Sequence, residues 1–550
     1  MDLAQFYQQA VEHHRAGKLG EAEALYRQIL ANAPQSPEVL ALLARILEDT
    51  GRAVEAAEAY RQIVTLRPAD PDGYVGLGNC LRQLGDLNGA IEAYRCAIDL
   101  RPDYVGALNN IANALWDSGN LDEAIPLLRR AAAAGTDPAA ASNLLFAMHF
   151  DPSVSPRELR AEHDLWNQRF ARPLFTRTDF TNTRDPDRRL RIGYVSPDFH
   201  NHPIALFMLP LLEHHDRNAF EITCYSDAFP DGITHRLASL THKWRDTRLL
   251  SDEQLAEQIR SDHIDILVDL ALHSRGSRLL AFARKPAPIQ VTYLGYCSTT
   301  GLETMDYRLS DPYLDPPSPP GSDLSIYSEE TVRLPATYWC YQPIFDVPAP
   351  GTPPALSNGF VTFGCLNNFY KIRPRVLDAW TKLLLEVPDS RLVLHAHAGS
   401  HRQRVRSRFE AAGIDPTRIE FVAAQSLAGY FDTYRRIDIA LDPFPFPGAT
   451  TTLDALWSGV PVVTLTGNSA VSRAGVSILS NLGLTELIAA DVEQYIAIAK
   501  SMAADLPRLT ALRATLRDRM KSSPLTDAAR FTHDLENAFR RMWQRWCATR

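Results

Sequence analysis

The chain has 550 residues, 45% of them hydrophobic and 22% charged, the balance of ordinary globular material spread over about three domains. A formal net charge of −8 supplies no broad basic surface for nucleic acid or an anionic membrane, and no run of about 18 apolar residues is present to span a bilayer. Seven cysteines, never spaced Cys-x-x-Cys, argue against a disulfide framework or a zinc site. The opening residues lack the basic head and apolar core of a signal peptide, so the cytoplasm is the expected compartment.

The first quarter repeats itself. Gly17, Gly51, Gly85 and Gly119 lie 34 residues apart, and Ala22, Ala56, Ala90 and Ala124 keep the same step. Pro34, Pro68 and Pro102 follow it, as do Tyr26, Tyr60 and Tyr94, with Leu128 in the fourth copy. A glycine ends one helix in a left-handed conformation, alanines let paired helices approach, and proline closes the unit. That period resembles the tetratricopeptide repeat. We assign residues 1–150 to the array, which as a solenoid would offer a concave face to a protein or peptide. Homodimerisation or packing is the alternative use of that face. Asn79, Asn109, Asn110 and Asn113 lie where amides would meet an extended peptide backbone.

Residues 151–188 read as a helical linker: Asp151 to Pro156 breaks the array, Arg157 to Phe170 is a further helix, and Thr176 to Arg188 is a polar, proline-interrupted connector. From 189 to 350 strands alternate with helices. Arg189–Val195, Phe220–Tyr225 and Ile264–Leu270 are strand-like, Ile204–Leu212 and Ser251–Ser261 helical, which is the pattern of a doubly wound sheet that binds ligands at its strand ends. Asp198, His200 and His202 gather at one such end. A metal requires three or four convergent ligands, and no second cluster supplies them. His202 is therefore read as a neutral imidazole for proton transfer or substrate hydrogen bonding, with a helix-capping histidine as the alternative.

Proline-rich Val347–Asn358 marks a boundary, and residues 351–550 repeat the doubly wound pattern up to a closing C-terminal helix. Two stretches carry chemistry. Asn367-Asn-Phe-Tyr-Lys371 follows a strand, where the Lys371 ammonium would meet a phosphate. Arg436–Leu441 is a buried strand, the Pro/Gly-rich segment after Asp442 a loop, and Thr450–Thr452 the start of a helix that Gly459 stops. Free N–H groups at such a helix start, with threonine hydroxyls around them, form a phosphate seat. Asp454, one turn in, is placed to accept a ribose hydroxyl. An ordinary N-cap is the alternative.

Four motifs occur in order: Asp198-Phe-x-Asn-His202-Pro, Arg284-x-Pro-Ala-Pro-Ile-Gln290-x-x-x-Leu-Gly-Tyr296, Asn367-Asn-Phe-Tyr-Lys371-Ile and Gly448-x-Thr-Thr-x-x-Asp454-x-Leu-Trp-x-Gly459. Behind tetratricopeptide repeats, they resemble the O-GlcNAc transferase family, whose plant branch includes SPINDLY-type O-fucosyltransferases. The resemblance covers essentially the whole chain and implies an α-helical solenoid followed by two α/β Rossmann-like lobes of B-type glycosyltransferase architecture. It implies an inverting transfer of sugar from a nucleotide donor to protein Ser/Thr hydroxyls, without metal or other cofactor. Carried over by motif, Lys371 contacts the donor diphosphate, Thr450 and Thr451 its phosphates, and Asp454 the ribose. His202 matches the family histidine seen at donor and acceptor, Tyr370 the active-site tyrosine, and Asn368 stands where animal members have glutamine. Ala423, in Val422-Ala-Ala-Gln425, matches the base-binding loop, and Tyr430 takes the place of a histidine that stacks on the base. Ala449 also replaces a histidine. The expected donor is UDP-GlcNAc, with GDP-fucose as the rival; the alternative of a different class is a repeat scaffold with a decayed transferase domain, against which the set of Lys371, Thr450, Thr451 and Asp454 argues.

Overall fold

The computed structural model describes residues 3–175, 179–319 and 322–549. The start of the expected connector, 176–178, and residues 320–321 lie outside that set.

Two compact units emerge. The first comprises residues 1–144 together with 397–404. Four helix pairs fill it: Leu3–Arg15 with Leu19–Asn32, Pro37–Asp49 with Ala53–Leu66, Pro71–Gln83 with Leu87–Leu100, and Val105–Asp117 with Leu121–Ala134. The turn glycines Gly17, Gly51, Gly85 and Gly119 all adopt positive φ, from 73° to 82°. The phased alanines are fully buried. A Cβ on Gly76 would sit 2.2 Å from the Tyr60 ring, so the small residue on one helix and the phased tyrosine on the helix before it are a single packing device. Three of the four asparagines are hydrogen-bonded within the array. Asn79 Oδ1 accepts from the Tyr94 hydroxyl at 2.7 Å and from Asn110 Nδ2 at 2.9 Å, and Asn109 Oδ1 accepts from Asn143 Nδ2 at 2.8 Å. The carbonyl oxygens of Asn79 and Asn109 thus tie neighbouring helices together. A further helix, Pro138–Met148, follows the fourth pair, and the first unit ends within it at Leu144.

The second unit holds both lobes. β1 (Leu190–Ser196), β2 (Phe220–Ser226), β3 (Lys243–Asp246), β4 (Ile266–Asp269), β5 (Ile289–Thr292), β6 (Tyr307–Ser310) and β7 (Glu330–Arg333) form an all-parallel sheet in the order β3-β2-β1-β4-β5-β6-β7. β8 (Thr362–Cys365), β9 (Arg391–His395), β10 (Ile419–Val422), β11 (Ile439–Leu441), β12 (Val462–Leu465) and β13 (Ile488–Ala489) form the second, ordered β10-β9-β8-β11-β12-β13. In both, the order reverses beside the first strand, the switch point where such sheets bind ligands. The central strands are apolar runs because helices cover both faces. The short outer strands β3, β6, β7 and β13 were not expected from the sequence: Lys243-Trp-Arg-Asp has no apolar alternation, and β6 carries Arg308, buried against Asp315 at 2.8 Å.

The helix Ala528–Ala548, expected to close the C-terminal lobe, packs instead on the N-terminal one. His215 Nδ1 lies 2.8 Å from Glu536 Oε1, Arg540 donates to the carbonyls of Pro186 and Arg188, and Trp543 Nε1 donates to Asp185 O. Its buried face, Phe531, Leu535, Phe539, Met542 and Trp543, follows a 3–4 spacing that gives no hint of which lobe it covers. The lobes are further joined by buried polar contacts. Ser477 donates to Asp311, Arg473 to Tyr313 O at 2.8 Å, and the Ala470 N–H to the Tyr327 hydroxyl at 3.1 Å.

Candidate active site

The site is built on the C-terminal ends of β8 and β11, on either side of the switch point. β11 delivers Asp442, which is buried. Its Oδ1 accepts the Thr452 hydroxyl at 2.9 Å and the Gly448 N–H at 3.2 Å, and burial lifts its pKa to about 6. The loop then turns tightly over the threonines. A Cβ on Gly448 would lie 2.4 Å from Thr451 Oγ1, so glycine is required there by proximity. The helix Thr450–Trp457 follows with Ala449 at its N-cap, which supplies no capping side chain. The first N–H groups of any helix have no intrahelical partner; here nothing on the cap residue takes them, and they face an anion site in the making.

β8 delivers the other half. Asn367 is buried, and its Oδ1 accepts from both Lys371 Nζ at 3.2 Å and Thr451 Oγ1 at 3.0 Å. One carbonyl oxygen therefore draws the ammonium and the hydroxyl together. Lys371 also donates to Pro447 O at 2.9 Å, and its Nζ lies 4.5 Å from the centroid of the Phe446 ring. Burial lowers its pKa to about 8, against the opposing pull of Asp442. Asn368 Nδ2 donates to the Tyr370 hydroxyl at 3.0 Å, and Tyr370 meets the Phe150 ring edge-on at 5.3 Å. Thr450 is half-buried beside Thr451, and Ala423 is exposed just beyond β10.

Asp454 does not point to an open ribose position. Its Oδ1 accepts the Tyr341 hydroxyl at 2.6 Å, and Oδ2 lies 2.9 Å from the Tyr430 hydroxyl. Tyr430 is in turn 2.9 Å from the Tyr434 hydroxyl, which donates to Thr451 O at 3.0 Å. Burial raises the carboxyl pKa to about 7, with the two tyrosines pulling it down. In this geometry Asp454 is a tether between the Thr450 helix, the Leu427–Tyr434 helix and the segment leaving the N-terminal lobe. Tyr430, read as a base-stacking ring, has its hydroxyl committed to that tether.

His202 lies in a separate cluster at the end of β1. It caps the helix Pro203–His214, with Nδ1 accepting the Ile204 N–H at 3.3 Å. A neutral imidazole that accepts through Nδ1 carries its proton on Nε2, so His202 offers a donor, not a base, at its outer nitrogen. Burial, with His200 nearby, lowers its pKa to about 4. The helix-capping alternative of the sequence reading is the contact the structure shows. Asp198 lies 3.8 Å from His202 Nδ1 and 4.0 Å from His200 Nε2, with a pKa raised by burial to about 6.

Sequence reasoning passed over Asn367, although it stands in the quoted motif next to Asn368. It also gave no role to Tyr341, Tyr434, Phe150 or Phe446. A cavity of about 590 Å³, lined among others by His149, Ser298, Thr299, Arg373, Asn468 and Glu493, opens beside the seat without including Lys371 or the threonines. Among the described residues, no group of three or more His, Cys, Asp or Glu side chains is arranged to hold a metal ion, and no helix is long and apolar enough to cross a membrane.

Comparison with known proteins bears on these features. The model of glycosyl transferase family 41 matches residues 172–342 and 354–535, and tetratricopeptide-repeat models match 7–74, 78–119 and 107–140. A Petunia hybrida protein named probable UDP-N-acetylglucosamine–peptide N-acetylglucosaminyltransferase SPINDLY is 39% identical over 417 residues, 74% of this chain and 44% of that protein. The Arabidopsis thaliana protein of the same kind named SEC is 31% identical, over 77% of this chain and 44% of its own. The chain thus spans less than half the length of the curated relatives it matches. A solved structure of a mutant Thermobaculum terrenum O-GlcNAc transferase is 38% identical, covers 100% of this chain and 98% of that one, and superposes with a TM-score of 0.77.

Proposed function

The chain belongs to glycosyl transferase family 41, and from that membership we propose that it is an inverting protein O-glycosyltransferase that moves GlcNAc from UDP-GlcNAc to Ser/Thr hydroxyls. The observation that carries the reading is the seat itself: Asn367 holds Lys371 and Thr451 together at the uncapped start of the Thr450 helix, a place suited to a diphosphate. In the reaction, a serine or threonine oxygen attacks the anomeric carbon while the bond from that carbon to the diphosphate oxygen breaks. The electron pair leaves with UDP. Lys371, the Thr450 and Thr451 hydroxyls and the helix N–H groups meet the charge that develops there, the usual largest share of such catalysis. The hydroxyl proton passes to Asp198 or to a donor phosphate oxygen, while His202 donates from Nε2 to hold a substrate oxygen. The chemistry is read as independent of metal, so chelation leaves the rate unchanged.

The repeat array is read as the protein-acceptor surface, the cytoplasm as the compartment, and homodimerisation as a further use of the array. Parallel titration of UDP and GDP tests the donor, followed by transfer from each sugar nucleotide to protein. The rival donor is GDP-fucose, kept in play by an identity of 38–39% to SPINDLY-type proteins against 26% to the Caenorhabditis elegans relative. Tighter binding of GDP than of UDP would overturn the UDP reading.

A further inference from the structure

The aromatic wall of the seat comes from an unexpected part of the chain. Phe150 follows the Pro138–Met148 helix by two residues and is fully buried. Its ring stacks on Phe446 with centroids 4.5 Å apart and planes 12° apart, and Phe146 meets it edge-on at 5.2 Å. The Phe446 ring is the one over which Lys371 Nζ lies, and Pro447, the next residue, presents the carbonyl to which Lys371 donates. Phe446 and Pro447 sit on a loop with no regular structure of its own, so its position depends on what the ring packs against.

We propose that Phe150 is a positioning residue for Lys371: by fixing the Phe446 ring it places both the ring face and the Pro447 carbonyl that hold the ammonium over the diphosphate seat. The inference rests on the donor reading above and extends it, because it makes the bridge after the repeats a part of the donor site. The geometry carries two consequences. Freed of its stack, the loop lets the ammonium drift and donor affinity falls, since an aligned charge contact depends on position. The wall also excludes water, which is the cause of the lowered Lys371 pKa. The charged and titratable groups bearing on that ammonium are Asp442 at the end of β11 and Cys365 in β8, and neither is touched by a change at Phe150.

UDP titration by calorimetry on the full chain between pH 7 and 9 tests this with Phe150→Leu, Phe446→Leu and the double variant. Phe446 is only half-buried, so its variant folds even where loss of the buried Phe150 ring is poorly tolerated. We expect each single variant to bind UDP about tenfold more weakly, within the range of a lost cation–π and charge contact. Wild-type affinity should fall as pH rises through about 8, and in the variants that fall should lie higher, toward the ordinary lysine range. The double variant should be no weaker than Phe446→Leu alone, because both act through one stack. A folded Phe150→Leu with wild-type affinity and an unmoved pH limb would overturn the positioning role, as would additive effects in the double variant. Failure of the wild-type chain to bind UDP at all would instead sink the donor reading, and this role with it.

Discussion

Replacing Asp454 with asparagine should be nearly silent for stability, whereas alanine should be costly. Three contacts run in series, Asp454 to Tyr430, Tyr430 to Tyr434 and Tyr434 to Thr451 O, but the two tyrosine hydroxyls hold only two hydrogens. The third is supplied when the Asp454 carboxyl carries its proton and donates to Tyr430, as a pKa lifted to about 7 by burial allows below that pH; the ionised form instead accepts from both tyrosines, which is how they pull the pKa down. An asparagine reproduces this pattern, its Nδ2 donating toward Tyr430 and its Oδ1 accepting from Tyr341. Alanine strands two buried hydroxyls at about 1–3 kcal/mol each, roughly 2–6 kcal/mol in all. Urea denaturation of the two variants measures the difference. The sign of the pH effect follows from linkage: the folded acid keeps its proton up to about pH 7, while the unfolded one loses it near its ordinary value of 3.8. Wild-type stability therefore falls with rising pH across that window, and Asp454→Asn removes this part of the slope. Asparagine as damaging as alanine, or a slope it leaves intact, would refute the argument. A large loss of UDP affinity in an undestabilised Asp454→Asn would return the residue to the ribose.

Lys371→Ala should fold and lower transfer by about two to three orders of magnitude, read from steady-state rates; a loss below about tenfold would remove it from the diphosphate role. His202→Ala should lower the rate with its pH profile unchanged, because Nδ1 is engaged by the Ile204 N–H; disappearance of a pH limb would make it a base after all. Deleting residues 1–135 should abolish protein glycosylation while UDP still binds by calorimetry, since the seat lies wholly in the second unit; a folded truncation that no longer binds UDP would place the array in the donor site.

The repeats were legible because each position has the same job in every copy: Gly51 and Gly85 must turn left-handed, Ala56 and Ala90 must be small. The Thr450 helix was legible because Pro/Gly chemistry, hydroxyls and a terminal Gly459 fall in a short span. What escaped was whatever depends on partners far along the chain. Tyr341 reaches Asp454 across 113 positions, so the carboxylate looked free for a sugar when it was already engaged. Phe150 and Phe446 are apolar, and an apolar residue carries no mark to tell wall of a site from core. Asn79 and Asn110 were read as a face for others because sequence shows the amides and not that one donates to the other across neighbouring repeats.

The crossing of the last helix has a consequence for how the protein is born. The N-terminal sheet begins at Leu190, but the helix that covers its Pro203–His214 face, Ala528–Ala548, emerges roughly 300 residues later. At about 5–20 residues per second, the ribosome leaves that apolar face bare for roughly 15–60 s. Buried residues such as Leu209 and Phe220 then depend on chaperones or on provisional cover by the half-made chain. The cover of the N-terminal lobe is therefore completed only when the Ala528–Ala548 helix has been made, although its sheet is synthesised well before the lobe that carries the phosphate seat.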